Sequence, residues 1–248
     1  MEGVGEVGTE SVLKKRWKMS ENTKGESQLE FDFEKAVRHI CKGMTDQPRW
    51  EKFYGMGMTH ESVMVHTLKQ TMQALFMQAI EMRHGNPYGL HFERLVYAPP
   101  THDMPEGHET YEDINYHDKR KNPQLRLEYK RREKEIFLEM MENMFGKEDM
   151  HLIPVPLDMD PDAPMVDRIY WQALEHISHS LYILEDLTLG TVTDQEQVAL
   201  FERDVAFEHV AWLIQYAYHF PSVEYMLRKQ ILPKWRMYKE NKEKGEKK

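Results

Sequence analysis

The stretch ESVMVHTLKQTMQALFMQAIEMRHG, residues 61 to 85, decides the class of fold. Its apolar side chains recur every three or four residues, which is the spacing of one face of an α-helix: Val65, Leu68, Met72, Leu75, Phe76 and Ala79. Gly85 follows this pattern, and glycine commonly ends a helix because it adopts the left-handed conformation without strain. The stretch therefore predicts a helix that packs its apolar face into a core.

The same spacing recurs on both sides of this stretch. Four apolar residues before Gly43 predict a first helix, from about Gln28 to Lys42: Leu29, Phe33, Val37 and Ile40. A later helix begins at Asn122 and Pro123, which are a favoured cap and first-turn pair, and it ends at Gly146.

The second half of the chain predicts two more helices after a proline-rich loop at residues 151 to 164. One of them carries a further apolar stripe: Val166, Ile169, Tyr170, Ala173, Ile177, Leu181 and Leu184. The other covers roughly Asp194 to His219. No segment alternates convincingly between polar and apolar residues, so we predict an all-α helical bundle.

Length and charge limit what the chain can be. With 248 residues it can form one main domain, expected at residues 29 to 233 between a mobile segment (1–28) and a charged tail (234–248). The formal charge of −9 argues against stable nucleic-acid binding. No apolar run approaches the ~20 residues of a membrane span. Cys41 is the one cysteine and the N-terminus lacks a signal-peptide pattern, so we expect a cytoplasmic protein.

The chemistry of the chain centres on THDMPEGHETYED, residues 101 to 113. Because Pro99 and Pro100 interrupt a helix, we expect a new helix capped by Thr101, with His102 and Asp103 in its first turn. Glu106 then follows one turn later, so an imidazole and two carboxylates project toward one region. Such groups bind metal ions or move protons, although the motif alone also fits a polar surface loop. A second His-Asp pair, at residues 117 and 118, lacks a carboxylate four residues after its histidine.

Read with PRWEKFYGMGMTHESVMVHTLKQ, residues 48 to 70, the motif resembles the HD-domain phosphohydrolases, in particular the bacterial HD-type 5′-deoxynucleotidases. Three groups of residues carry the resemblance: the Arg49–Trp50 pair, Glu61-Ser62-Val63 with His66 three residues on, and HDMPE at residues 102 to 106. The resemblance spans roughly residues 30 to 190. It implies an HD-domain helical bundle.

The resemblance also implies a role for each matched residue. His66, His102 and Asp103 would share one divalent metal ion, and Asp103 would also contact the substrate. Glu106 would transfer a proton, and Arg49 would orient the phosphate. The sugar would be bound by two further residues, Trp50 and Asp113.

The fourth metal ligand departs from the family, which has an aspartate ahead of a Leu-acidic-acidic-Leu stretch. LEDL, residues 184 to 187, supplies that landmark, and Glu175 stands at the aligned position. Its side chain is one methylene longer than aspartate, so the helix would stand back about 1 Å or the ion would shift. Three other residues remain candidates for this ligand: Asp167, His176 and His179.

The function implied by the resemblance is metal-dependent hydrolysis of deoxyribonucleoside 5′-monophosphates by a homodimer. Two histidines and two carboxylates suit Mn²⁺, Co²⁺, Fe²⁺ or Zn²⁺ better than Mg²⁺. Three alternatives remain open. They are a deoxynucleoside triphosphate triphosphohydrolase, a cyclic-nucleotide or alarmone hydrolase, and a degenerate HD module that binds a nucleotide or a protein without catalysis.

Overall fold

A computed structural model describes residues 33–49, 61–108, 111 and 122–245, and the compact unit that it forms begins at Phe33. The predicted all-α class is confirmed. The α-helices are α1 Phe33–Asp46, α2 Val63–Arg83, α3 Phe92–His102, α4 Pro123–Phe145, α5 Met165–Leu189, α6 Gln195–Arg203, α7 Pro221–Met226 and α8 Leu232–Gly245. The predicted mobile segment, residues 1 to 28, lies outside the described residues.

Short irregular elements join these helices. 3₁₀ turns cover Met104–Gly107 and Lys147–Leu152, and π-helical turns cover Asp204–Val210, Leu213–Ala217 and Leu227–Ile231. Two strands of two residues each, β1 Pro48–Arg49 and β2 Glu61–Ser62, pair in antiparallel fashion, with Arg49 opposite Glu61. Among the helices in these ranges, none is long and apolar enough to cross a membrane.

Helix α4 has the ends that its sequence predicts. The Asn122 side chain accepts a hydrogen bond from the Leu125 amide at 3.2 Å, and Pro123 occupies the first turn. Gly146 ends the helix with a φ of 78°, a conformation that other residues rarely adopt. Local signals are sufficient here because each acts within one turn of the helix end.

Helix α1 runs to Asp46 and passes the predicted end at Lys42. Gly43 does not cap it, so that part of the prediction is wrong. A Cβ atom on Gly43 would lie 2.0 Å from the carbonyl oxygen of Gly107. Gly43 is therefore a contact residue, which lets α1 cross the 3₁₀ turn that follows the His-Asp pair.

Helix α3 continues through Pro99 and Pro100, so the predicted break before Thr101 is also wrong. The Thr101 hydroxyl does not cap a new helix but donates back to the carbonyl oxygens of Tyr97 and Ala98, at 2.8 and 3.2 Å. The helix ends at His102, and Pro105 then starts the 3₁₀ turn. The two prolines have no amide N–H to donate to the helix. In the last turn, the side chains of Thr101 and His102 hydrogen-bond to backbone carbonyls of the same helix instead.

Two apolar clusters form the core. The larger one surrounds α5, whose predicted stripe is buried at Tyr170, Ala173, Ile177 and Leu184. The smaller one joins α1, α4 and the 3₁₀ turn Met104–Gly107 through methionine, aliphatic and one phenylalanine side chains: Ile40, Met44, Val63, Met104, Ile136, Phe137, Met140, Met141, Met144 and Met159. His102 ends α3 and Asp103 joins it to this turn, so elements of both clusters position the His-Asp pair.

Helix α2 turns toward the core the face opposite to the one that its sequence predicts. The apolar face faces outward: Leu68 is 62% exposed and Met72 is 61% exposed. The buried face includes four polar residues among its seven: Val63, His66, Thr67, Gln70, Ala74, Met77 and Glu81. The expectation that the apolar face packs into the core is wrong, because periodicity shows which residues share a face but not which face meets the core.

The residues after Pro233 continue the fold as α8, up to Gly245. Tyr238 is buried in the larger cluster, and its hydroxyl donates to Glu202 at 2.7 Å. Lys239 and Lys242 contact the same carboxylate at 2.9 and 3.0 Å. The predicted charged tail is therefore a packed helix over its described length.

Glu81 connects three helices. It is fully buried, and its Oε1 accepts a hydrogen bond from the Ser222 amide at 2.8 Å. The Ser222 hydroxyl in turn shares a 2.9 Å hydrogen bond with the Tyr170 hydroxyl. Helices α2, α5 and α7 are thus joined through one buried polar group.

We predict that Glu81→Leu lowers the free energy of unfolding by about 1–3 kcal/mol, because it leaves the buried Ser222 amide without its acceptor. Urea unfolding followed by circular dichroism measures this loss. Glu81→Gln is the matched control, since it keeps an acceptor oxygen and should retain most of the stability. Equal losses in the two variants would contradict the role given to this hydrogen bond.

Candidate metal centre

Three predicted ligands meet where α2 and α3 come together. His66 lies in the first turns of α2, His102 is the last residue of α3, and Asp103 follows it. One donor atom from each lies within 4.8 Å of the other two, so the three side chains could hold a metal ion. Asp103 and His66 are buried, and the side chain of His102 is 8% exposed.

The ring of His102 has a fixed orientation. Its Nδ1 lies 3.0 Å from the carbonyl oxygen of Pro99, a position from which an N–H donates to the carbonyl. Its Nε2 therefore points the other way, 2.8 Å from Asp103 Oδ1 and 3.3 Å from Glu175 Oε1. A backbone carbonyl on one ring nitrogen is a common arrangement in histidines that bind metal through the other.

These carboxylates decide the protonation of His102. Burial disfavours the charged ring, but the charges of Asp103 and Glu175 outweigh it and raise the pKa of His102 to about 10. A positive charge at Nε2 is therefore favoured. A divalent ion bound by the same groups would provide that charge and displace the proton.

His66 lies between Asp103 and Glu61. Its Nε2 is 3.9 Å from Asp103 Oδ2, and its Nδ1 is 3.7 Å from Glu61 Oε2. Glu61 is 4% exposed and also contacts Lys69 at 2.7 Å. Burial favours the neutral acid, but the hydrogen bonds of His66 and Lys69 outweigh it and lower the pKa of Glu61.

Sequence reasoning gave Glu61 no role at the site. The signal for one is its place at the start of the Glu-Ser-Val group that precedes His66. A carboxylate behind a ligating histidine orients the ring and makes it a better donor. The position of Glu61 in β2 supplies this contact, because β2 leads directly into α2.

Glu175 reaches the centre from α5. Its side chain is 24% exposed rather than free in solvent, and its Oε1 accepts a hydrogen bond from the Gln70 side chain as well as facing His102. The alternative ligand Asp167 lies elsewhere: it is fully buried and accepts hydrogen bonds from the amide and ring of His91, at 3.1 and 2.9 Å. Among the candidates for the fourth ligand, Glu175 thus has the direct contact with His102.

The remaining predicted residues differ in how far they are described. Glu106 is half-buried in the 3₁₀ turn directly after the His-Asp pair. The Arg49 backbone pairs with Glu61, which places this residue beside the strand that leads to His66. Trp50 and Asp113, the residues expected at the sugar, lie outside the described residues.

Three further histidines extend away from the centre. The ring centroids of His66 and His179 are 6.2 Å apart, those of His179 and His209 are 5.6 Å apart, and those of His209 and His176 are 5.1 Å apart. His176 and His179 were candidate ligands in the sequence, but His209 was not singled out. It belongs to a π-helical turn far along the chain, where no motif marks it.

The half-buried His176 and the buried His209 form a pair, with their Nδ1 atoms 2.9 Å apart. Burial lowers the pKa of His176 to about 4. Burial and the neighbouring His176 lower the pKa of His209 to about 3. Both rings are neutral at pH 7, and one Nδ1–H can donate to the other Nδ1.

This burial predicts a loss of stability in mild acid. The unfolded chain protonates His209 below its ordinary pKa of about 6.5, whereas the folded chain does not until the pH approaches its lowered value. The contribution is therefore complete above about pH 6.5 and falls as the pH is lowered, by about 2 kcal/mol at pH 5.

Urea unfolding at pH 7, 6 and 5 measures this dependence. His209→Gln should reduce its slope, whereas His84→Gln, which removes an exposed imidazole at the end of α2, should not. The same slope in His209→Gln as in the parent protein would show that this ring is not the group responsible.

Comparisons with family models, with curated proteins and with solved structures find no match to this chain. The resemblance to HD-domain phosphohydrolases therefore rests on the quoted residues, and the chemistry of the site rests on its own geometry.

Proposed function

We propose that the chain is a metal-dependent phosphohydrolase that cleaves deoxyribonucleoside 5′-monophosphates to a deoxynucleoside and phosphate. One observation carries the proposal: Asp103 and Glu175 direct carboxylate oxygens at His102 Nε2, at 2.8 and 3.3 Å. His66 lies beside them, 3.9 Å from Asp103. His66, His102 and Asp103 form a group that could hold a metal ion, and Glu175 of α5 joins it through His102.

The donor set fits a divalent transition metal ion. Two imidazoles and two carboxylates suit Mn²⁺, Co²⁺, Fe²⁺ or Zn²⁺ better than Mg²⁺, which prefers oxygen ligands. When bound, such an ion lowers the pKa of a water molecule and polarises a phosphoryl oxygen. The chain supports these ligands from behind, with the Pro99 carbonyl at His102, Glu61 at His66 and the Gln70 amide at Glu175.

Proton transfer is assigned to Glu106. It occupies the 3₁₀ turn that begins one residue after Asp103, and the contact between Gly43 and Gly107 holds that turn against α1. A carboxylate held next to the ligands can take a proton from a water molecule and return it to the leaving oxygen.

Substrate binding is assigned to Arg49 and Trp50, on the basis of the resemblance. A guanidinium forms paired hydrogen bonds with phosphate oxygens. An indole beside the sugar would accept a 2′-CH₂ but leave a 2′-OH without a partner, which costs roughly 1–3 kcal/mol. This difference favours deoxyribonucleotides over ribonucleotides by about 5- to 150-fold.

An assay of released product over a panel of deoxy- and ribonucleoside mono- and triphosphates, with each metal ion in turn, tests the proposal. Phosphate released mainly from deoxyribonucleoside monophosphates is the expected result. Release of triphosphate would indicate a triphosphohydrolase instead. Bound metal with no hydrolysis of any substrate would indicate a module that binds without catalysis.

We predict that the protein binds about one divalent ion per chain and that Asp103→Asn loses most of it, together with nearly all activity, because one ligand loses its negative charge. Metal content by mass spectrometry and helicity by circular dichroism measure the two effects. Asp118→Asn, in the second His-Asp pair, is the matched control and should keep both metal and activity. Full activity in Asp103→Asn would refute the assignment.

Glu106→Gln should keep the metal and the fold but lose about 10²–10⁴-fold in kcat, the usual contribution of a positioned proton-transfer group. Steady-state kinetics at a fixed metal concentration, with metal content measured on the same sample, test this expectation. Loss of metal in this variant would make Glu106 a ligand and leave the proton transfer to another group.

A further inference from the structure

The face of α2 opposite the candidate metal centre exposes a row of apolar side chains, here called the α2 stripe. Six of its members are between 44% and 62% exposed, and Ala79 is also exposed: Val65, Leu68, Met72, Leu75, Phe76, Met82 and Ala79. Tyr225 of α7 extends the stripe, since its ring meets the ring of Phe76 at 5.6 Å. The other exposed residues of α2 are Lys69 and Arg83.

The stripe is large for a surface that remains in water. At about half exposure its side chains present on the order of 600 Å² of apolar area, which is at the upper limit of the roughly 300–600 Å² patches of typical monomers. A standard protein interface buries about 800 Å² on each partner. Together with Tyr225 and its surroundings, the stripe approaches that size.

Its spacing is that of a coiled coil. Six of its residues follow one another at intervals of three, four, three, four and three: Val65, Leu68, Met72, Leu75, Ala79 and Met82. This is an unbroken a/d heptad pattern, which places all six on one seam of the helix. A helix that faces only its own core needs a broader and less regular stripe.

The pattern is also complementary to itself. If a second α2 runs antiparallel, with the two-fold axis between Gln73 and Ala74, three pairs face each other across the axis: Val65 with Met82, Leu68 with Ala79, and Met72 with Leu75. Each pair joins an a position to a d position, as antiparallel packing requires, and the bulky Leu68 meets the small Ala79. Neither Lys69 nor Arg83 meets a like charge in this register.

From this geometry we infer that a second copy of the chain occupies the α2 stripe, in an antiparallel α2–α2 contact across a two-fold axis. Such an isologous contact uses the same surface on both chains and closes after two. The resemblance implies a homodimer without saying which surface it uses, and the inference assigns that surface and its register. The stripe lies on the face of α2 away from His66, so the assignment does not depend on the proposed reaction.

Segments of the same chain fit the stripe less well. Residues 50 to 60 are held at both ends by the pairing of Arg49 with Glu61, so eleven residues extend at most about 19 Å from the strands. Met82 lies about 30 Å along α2 from Glu61. Residues 1 to 28 are rich in glycine, serine and charge, and their sequence carries no heptad pattern to match the stripe.

Measurement of molar mass by light scattering during size-exclusion chromatography, over a wide range of protein concentrations, tests the inference. The parent chain should have twice the 29.7 kDa mass of one chain. The double variant Met72→Lys/Leu75→Lys places lysines opposite one another in the proposed pair and should have the mass of one chain. Circular dichroism should show unchanged helicity, because both positions are exposed within one chain.

A second double variant tests the antiparallel register. Met72→Lys/Leu75→Glu places each lysine opposite a glutamate of the second copy, so the dimer should persist and weaken at high salt; a parallel pair would instead oppose like charges. Leu127→Lys, at a 65% exposed leucine of α4, is the control and should remain a dimer. A parent chain that stays monomeric, or a dimer that survives Met72→Lys/Leu75→Lys, would overturn the inference.

Discussion

Burial of the polar face of α2 is the constraint on which the neighbouring structure depends. A buried polar group without a partner costs several kcal/mol, so each of these side chains determines what must lie next to it. His66 faces Asp103 and Glu61, Gln70 donates to Glu175, and Glu81 accepts from Ser222. These contacts fix β2, the end of α3, α5 and α7 around a single helix. The buried polar side chains of α2 therefore determine both the candidate centre and the packing of the neighbouring helices.

The end of α3 shows how local backbone chemistry prepares a site. Two consecutive prolines leave the helix short of amide donors, yet the Pro99 carbonyl accepts from His102 and thereby turns Nε2 toward Asp103 and Glu175. The charge of these carboxylates then requires a cation at Nε2, either a proton or a metal ion. A protonated His102 would form a salt bridge with the two carboxylates and would also supply this positive charge. Such a salt bridge would need neither His66 nor the carboxylate of Glu61 behind it.

Much of the fold and part of the site follow from the sequence. The caps of α4 at Asn122 and Gly146 act locally, and the stripe of α5 is long enough to define a buried face. The sequence also indicates His66, His102 and Asp103, because their types and order carry the resemblance. The role of Gly43 could not be predicted, since it depends on the distant Gly107. His209 and Glu61 likewise acquire their roles from contacts that no local pattern encodes.

The orientation of α2 is the most informative failure. Turning the helix over would bury its apolar stripe, on the order of 600 Å², which corresponds to about 15 kcal/mol at 25 cal/mol per Å². The same rotation would separate His66, Gln70 and Glu81 from the groups that they contact and leave those groups buried without partners. The sequence of α2 therefore carries an apolar face and a polar face that would each be stabilised by burial. A single chain can bury only one of these two faces in its core. The contacts of His66, Gln70 and Glu81 are made within the chain, and the apolar stripe is left for a surface outside it.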